Sequence, residues 1–238
     1  MKGIILAGGL GTRLRPLTNI TNKHLLPVYN KPMILYPLET LRKAGITEIM
    51  VVCGREHAGD FMNFLGSGEE YGITCSYAIQ DTNNGGIADA LRQAEGFSDN
   101  ESVAVVLGDN IFDGDFSEDI ATFTDGAKVF FKEVANPSRF GVPVFDDSGE
   151  RILTIEEKPK NPKSKLAQTG FYIYDTNVFS FIKTLKPSAR GELEITDVNN
   201  MYLSKGKLSH ALVEGLWSDA GTFESLLAVS NEIAKRTV

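Results

Sequence analysis

Residues 102–107 form a near-continuous apolar run that stops abruptly at Gly108-Asp109-Asn110. A strand with one wet face alternates apolar and polar residues. A run without alternation belongs to a strand covered on both faces, as in parallel sheets sandwiched between helices. The rest of the first half agrees. Residues 3–7 predict a short strand entering a glycine-rich turn, and 48–53 and 73–79 predict two more strands. Residues 33–44 have helical spacing and are stopped by Gly45. Phe61, Phe64 and Leu65 suggest the next helix, and 86–95 place Ile87, Leu91 and Ala94 on one helical face. From Ala127 strands dominate: 128–134, 141–145, 152–156, 169–174 and 208–213. Helices are expected over 177–185 and 195–205, with a closing amphipathic helix through Phe223, Leu226, Leu227, Ser230 and Ile233.

The expected fold is therefore α/β, a Rossmann-like, three-layer, mostly parallel sheet extended by a strand-rich portion that covers one end. We expect one domain over 1–238, with halves 1–126 and 127–238 and surface loops at 158–165 and 186–192. A chain of 238 residues with 42% apolar and 23% charged residues can build a core without disulfides. Thirty-one acids against 24 bases give a net charge of −7, which disfavours nucleic acid and anionic membrane as partners. Any anionic ligand must then be held by a local cluster of cations. Cys53 and Cys75 are the only cysteines; both lie in apolar stretches and are expected to be buried and reduced. Two cysteines exclude a zinc site built on cysteine pairs. No signal peptide is legible, and no apolar run reaches the roughly 20 residues of a spanning helix. A soluble cytoplasmic protein is expected.

In open α/β sheets, ligands bind beyond the carboxyl ends of the parallel strands. The residues just past each strand are therefore the place to look for chemistry. After the first strand comes Gly8-Gly9-Leu10-Gly11-Thr12-Arg13, whose backbone N–H groups could cradle phosphate oxygens or form a plain turn. No Gly-Lys-Ser/Thr closes it, so it is not a P-loop. The dinucleotide fingerprint also fails: counted from Gly9 its sixth position is Leu14, and counted from Gly8 its third is Leu10. That argues against a dehydrogenase. Arg13 suits a polyphosphate. After the third strand come Gln80 and Gly85-Gly86, and after the fourth comes Asp109, either a turn cap or a metal ligand. Asp219 reads as an N-cap of the last helix or, with Asp109, as one of two hard oxygen donors for magnesium. Taken alone, Lys23 reads as a surface lysine, Glu156-Glu157-Lys158-Pro159 as an exposed strand end, and 190–194 as a solvated loop. His24 has no nearby partner as a metal ligand.

Together, Leu6 to Leu14, Lys23-His24-Leu25-Leu26-Pro27, Leu107-Gly108-Asp109-Asn110, Glu156-Glu157-Lys158-Pro159, Gly191-Glu192-Leu193-Glu194-Ile195-Thr196-Asp197 and Asp219-Ala220-Gly221-Thr222 appear in order. This ordered set resembles the sugar-phosphate nucleotidyltransferases, and within them the thymidylyl branch. The resemblance implies an enzyme that joins dTTP and glucose 1-phosphate with Mg2+ and releases pyrophosphate. It implies a nucleotide site at Leu6, Gly8, Gly9, Gly11, Thr12, Arg13, Gln80, Gly85 and Gly86, in which Gln80 and the glycine pair read the base. It implies a strand-rich sugar-binding portion, with sugar-phosphate contacts at Asn110, Gly141, Glu157, Lys158 and Gly170, the two glycines through their backbone. Metal ligands would be Asp109 and Asp219, and Arg13, Lys23, Asp109 and Lys158 would carry the catalysis. A homo-oligomer is expected on the same ground.

Three departures from the family pattern stand out. Five residues, not four, separate Gln80 from Gly86, which bears on base choice. Arg15 replaces a frequent aromatic, either adding charge at the triphosphate or facing solvent. The sequence stops at Val238, as in short forms that lack a helical extension. Uridylyl transfer and a non-catalytic nucleotide-sugar-sensing subunit are the competing readings.

Overall fold

The computed structural model describes residues 1–82 and 85–237. In chain order the strands and helices of the first half are β1 (Lys2–Ala7), β2 (Pro27–Val28), β3 (Lys31–Pro32), α1 (Leu35–Lys43), β4 (Glu48–Gly54), α2 (Ala58–Leu65), β5 (Thr74–Gln80), α3 (Gly86–Arg92), α4 (Glu95–Ser98), β6 (Val103–Leu107), β7 (Asn110–Phe112) and α5 (Ser117–Thr122). The second half adds β8 (Ala127–Glu133), β9 (Gly141–Phe145), β10 (Ile152–Glu157), β11 (Leu166–Tyr174), α6 (Asn177–Thr184), α7 (Ile195–Ser204), β12 (Leu208–Leu212), β13 (Trp217–Asp219) and α8 (Phe223–Thr237).

Seven strands make the central sheet in the order β12-β8-β11-β6-β1-β4-β5. The pairs β6–β1, β1–β4, β4–β5 and β12–β8 are parallel; only β11 runs against its neighbours. The halves thus share one sheet, with β11 beside β6. From β1 the chain moves outward to β4 and β5, then returns to the other side of β1 as β6. That reversal makes a switch point between β1 and β6, where α/β sheets open a crevice.

The uninterrupted apolar strands now have a physical reason. Ile4, Leu6, Val103 and Val105 pack under α3, α6 and α7, through residues such as Leu91, Val178, Ile182 and Val198. Ile5, Ala7, Ala104 and Val106 face the other way, onto Leu38 and Leu41 of α1 and Phe61 of α2. A third cluster, including Val28, Met33, Ile111, Ala220 and Val229, seats α8. Both cysteines are free, as expected, but Cys75 is only partly buried, because β5 is the edge strand. Among the described residues no helix is long and apolar enough to cross a membrane.

Candidate active site

One cavity of about 630 Å3 opens at the carboxyl ends of β1, β5 and β6, and every nucleotide, sugar-phosphate, metal and catalytic residue that the resemblance implies lines it. The glycine loop turns out of β1 with Gly9 at φ 90° and Gly11 at φ 58°, left-handed conformations that a side chain would strain. Thr18 Oγ1 donates to the Gly11 carbonyl at 2.9 Å, and a short 3-10 turn (Thr12–Leu14) then presents exposed Arg13. Arg15 is exposed and does not line the cavity.

Asp109 lies just past the end of β6. Its Oδ2 accepts from Lys23 Nζ at 2.5 Å, and its Oδ1 from Asn110 Nδ2 at 3.0 Å. Lys23 is therefore not a surface lysine, and Asp109 does not cap a turn. Burial pushes the Asp109 carboxyl up, but the Lys23 ammonium and these hydrogen bonds outweigh it and hold it well below the usual carboxylate range. His24 is buried. Its backbone N–H and ring Nδ1 both donate to Asn22 Oδ1, at 2.9 and 2.7 Å. Burial, reinforced by Lys23, lowers its pKa to about 3, so the ring is neutral.

Two very short strands bring the second carboxylate in. β7 pairs antiparallel with β13, Asn110 opposite Asp219, and Ala220 N donates to the Asp109 carbonyl at 2.9 Å. Asp219 does not cap α8; Thr222 Oγ1 does, accepting from Ser225 N at 3.3 Å. Burial and then the charge of Asp109 raise the Asp219 pKa, against the pull of Lys23, Arg13 and Arg139. Its Oδ1 is buried without a hydrogen-bond partner among the described residues. Two neighbouring carboxylates, one with an orphaned oxygen, are suited to a hard divalent cation that takes its remaining ligands from substrate phosphates. No third His, Cys, Asp or Glu completes a protein-only metal cluster among the described residues.

The second half builds the opposite wall. Because β11 runs antiparallel to β6, its first residues lie at the same sheet edge as Asp109. Gly170 N donates to Asn110 Oδ1 at 2.9 Å. That narrows the expectation that the Gly170 backbone meets the sugar: its N–H is committed to Asn110. Its missing side chain still matters, since a Cβ would meet Asn110 and the Leu107 side chain at 2.7 Å. Glu157 ends β10 and is no free strand end. Its Oε2 accepts from Thr196 Oγ1 at 2.5 Å and its Oε1 from Arg190 Nη2 at 3.3 Å, with Lys158 Nζ 3.4 Å away. Arg190 also donates to Glu194 Oε2 at 2.7 Å, so the loop before α7 is pinned and not simply solvated. Leu193 ties that loop to the first half: its N donates to the Gly85 carbonyl at 2.9 Å and its carbonyl accepts from Ala88 N at 3.2 Å.

Sequence reasoning missed several lining residues. Arg139, whose Nη2 lies 3.5 Å from Asp219 Oδ2, comes after an Asn-Pro turn that gives no chemical signal. Trp217 donates from Nε1 to Asn110 Oδ1 at 2.6 Å, and Gln168 and Thr169 line the cavity from β11. The lengthened base loop, Asp81 to Gly85, includes residues 83 and 84, which lie outside the described residues.

A nucleotidyl transferase family model matches residues 2–236. The chain belongs to the nucleotidyl transferase family. This nucleotidyl transferase is 52% identical to a glucose-1-phosphate thymidylyltransferase of Neisseria meningitidis, over 95% of this chain and 80% of that one. It is 48% identical to one of Actinoplanes, over 93% and 74%. A crystal structure from Bacillus anthracis that carries the same name provisionally, in complex with a sucrose, superposes with a TM-score of 0.91 at 51% identity, covering 98% of this chain and 94% of that one. A UDP-glucose pyrophosphorylase complexed with UDP-glucose superposes with a TM-score of 0.85 at 26% identity, over 99% and 98%.

Proposed function

We propose that this chain joins dTTP and α-D-glucose 1-phosphate to give dTDP-glucose and pyrophosphate, by direct in-line displacement at the α-phosphorus with Mg2+. One observation carries the reading: Arg13, Lys23 and Lys158 converge with Asp109 and Asp219 on a single cavity. The similarity over most of the chain to proteins named for this reaction supports it.

Two polyanions must be brought together and aligned. The loop from Gly8 to Arg13 holds the triphosphate, with Arg13 against the departing pyrophosphate. Lys23 faces the α-phosphoryl group. Gln80 and the Gly85-Gly86 turn meet the base beside Leu6. Lys158 holds the sugar phosphate, and Glu157 accepts from sugar hydroxyls near Gly141, Gly170 and Asn110. The attacking phosphate monoester is ionised at neutral pH, so no general base is required. Asp109 and Asp219 would hold Mg2+, which when bound supplies positive charge against the phosphate oxygens. Arg13 and Lys23 counter the charge that develops on the leaving and non-bridging oxygens.

The pyrophosphorylase likeness favours UTP as a second nucleotide, since only the thymine methyl and the ribose 2′-hydroxyl separate the two and a methyl contact is worth only about 1–3 kcal/mol. A product screen with Mg2+ tests both readings: four triphosphates crossed with several hexose 1-phosphates, monitored by pyrophosphate release. The expected outcome is highest kcat/KM for dTTP with glucose 1-phosphate. Background turnover with every pair would return the chain to a sensing role.

A further inference from the structure

Asp89 does not line the cavity, yet it governs a residue that does. It is 3% exposed on α3. Its Oδ2 accepts from Gln80 Nε2 at 2.9 Å and from the Thr82 hydroxyl, and its Oδ1 from the Arg92 guanidinium. Gln80 Nε2 also donates to the Gly86 carbonyl at 3.1 Å. Both amide hydrogens of Gln80 therefore end on groups that can only accept. A reversed amide would set its oxygen against a carboxylate and a carbonyl, leaving buried polar atoms opposed, so a single orientation is allowed. The free Oε1 points at the glycine loop, where a Cβ on Gly8 would meet it at 2.5 Å. An oxygen in that place accepts a hydrogen and offers none. Gly85 belongs to the same device: a side chain there would collide with Asp89 and Thr82.

We propose that Asp89 is a positioning residue for base choice. By fixing the Gln80 amide, it makes the base end of the cavity take a ring that presents N–H, as the imide of thymine or uracil does. The same orientation refuses a ring that presents a lone pair there, as N3 of cytosine does. The inference rests on the placement of the base beside Gln80 proposed above, and it concerns cytosine against the imide bases, not thymine against uracil.

The test measures kcat and KM for dTTP and dCTP with glucose 1-phosphate and Mg2+. The parent is expected to favour dTTP strongly, because a site built around a hydrogen bond rejects the analogue that cannot make it. Asp89→Asn replaces the acceptor-only carboxylate with a side chain that can donate as well as accept, so that only the Gly86 carbonyl still opposes a turned Gln80 amide. The dTTP-to-dCTP ratio of kcat/KM should then fall by about tenfold or more, through a higher KM for dTTP and a lower one for dCTP. A purely structural loss lowers both nucleotides alike. A ratio unchanged from the parent, or a parent that does not discriminate, overturns the proposal. Gln80→Ala separates the two layers. If it leaves the KM for dTTP unchanged, the base does not sit beside Gln80 and the placement itself fails. If it raises that KM while Asp89→Asn leaves the ratio intact, only the role of Asp89 fails. Should Asp89→Asn not fold, Thr82→Val removes one donor that fixes the carboxylate. The ratio should then fall about threefold, and no change overturns the assignment.

Discussion

At the scale of single residues, the buried polar side chains at the cavity floor are interdependent. Asp109 accepts from Lys23 and Asn110, while Asn110 Oδ1 accepts from Gly170 and Trp217. Asp109→Asn keeps the shape and removes one charge. We expect kcat to fall by about a hundredfold or more with an unchanged circular dichroism spectrum; near-parental turnover would contradict the metal assignment. His24 sets an acid limit on stability. The unfolded ring protonates near its ordinary value, whereas the folded ring resists until about 3. Between those values the unfolded state binds more protons, so stability falls as pH drops through the window, by up to about 1.4 kcal/mol per pH unit. Urea denaturation at pH 7, 6, 5 and 4 should show that slope. His24→Asn, which keeps a donor for Asn22, should flatten it by one proton's worth. These residues were only half legible in the sequence. Lys23 alone resembles any exposed lysine until the fold brings it to Asp109, 86 positions away.

At the scale of elements, the strands and helices that carry an apolar period were legible to within a few residues. Residues 102–107 correspond to β6, and 141–145 to β9. β2, β3, β7 and β13 were not seen, because two or three residues hold no period to read. That blind spot had a consequence for the site: the pairing of β7 with β13 is what delivers Asp219, and without it an N-cap of the last helix was an open reading. One contact between the halves, at the base end of the cavity, was hidden for a similar reason. It runs through backbone atoms of Leu193, which carry no sequence signature. It also explains Gly86, held at φ 82° with the Leu193 carbonyl 2.5 Å from where a Cβ would stand. Gly86→Ala should cost about 2–4 kcal/mol from backbone strain and overpacking together, read by urea denaturation, and should raise the KM for dTTP. A variant of parental stability would show that the loop yields.

At the scale of the whole molecule, one sheet carries both walls of the cavity. β1 and β6 bring the glycine loop and Asp109, and β11, from the other half, brings Gly170 to the same edge. A shared cavity fits a complex in which both substrates are bound before any bond breaks. The thiols offer no covalent detour: neither cysteine lines the cavity, and burial pushes the Cys53 thiol up to about 11. Incubation with dTTP and labelled pyrophosphate should therefore give no labelled dTTP until a sugar phosphate is added; exchange without it would require a nucleotidyl-enzyme. Trp217 adds a practical consequence. It is the only indole in the chain, and its N–H is tied to the asparagine beside Asp109. Its ultraviolet emission thus reports from one spot, so occupancy of that spot can be followed by light alone, without a dye, a tag or turnover.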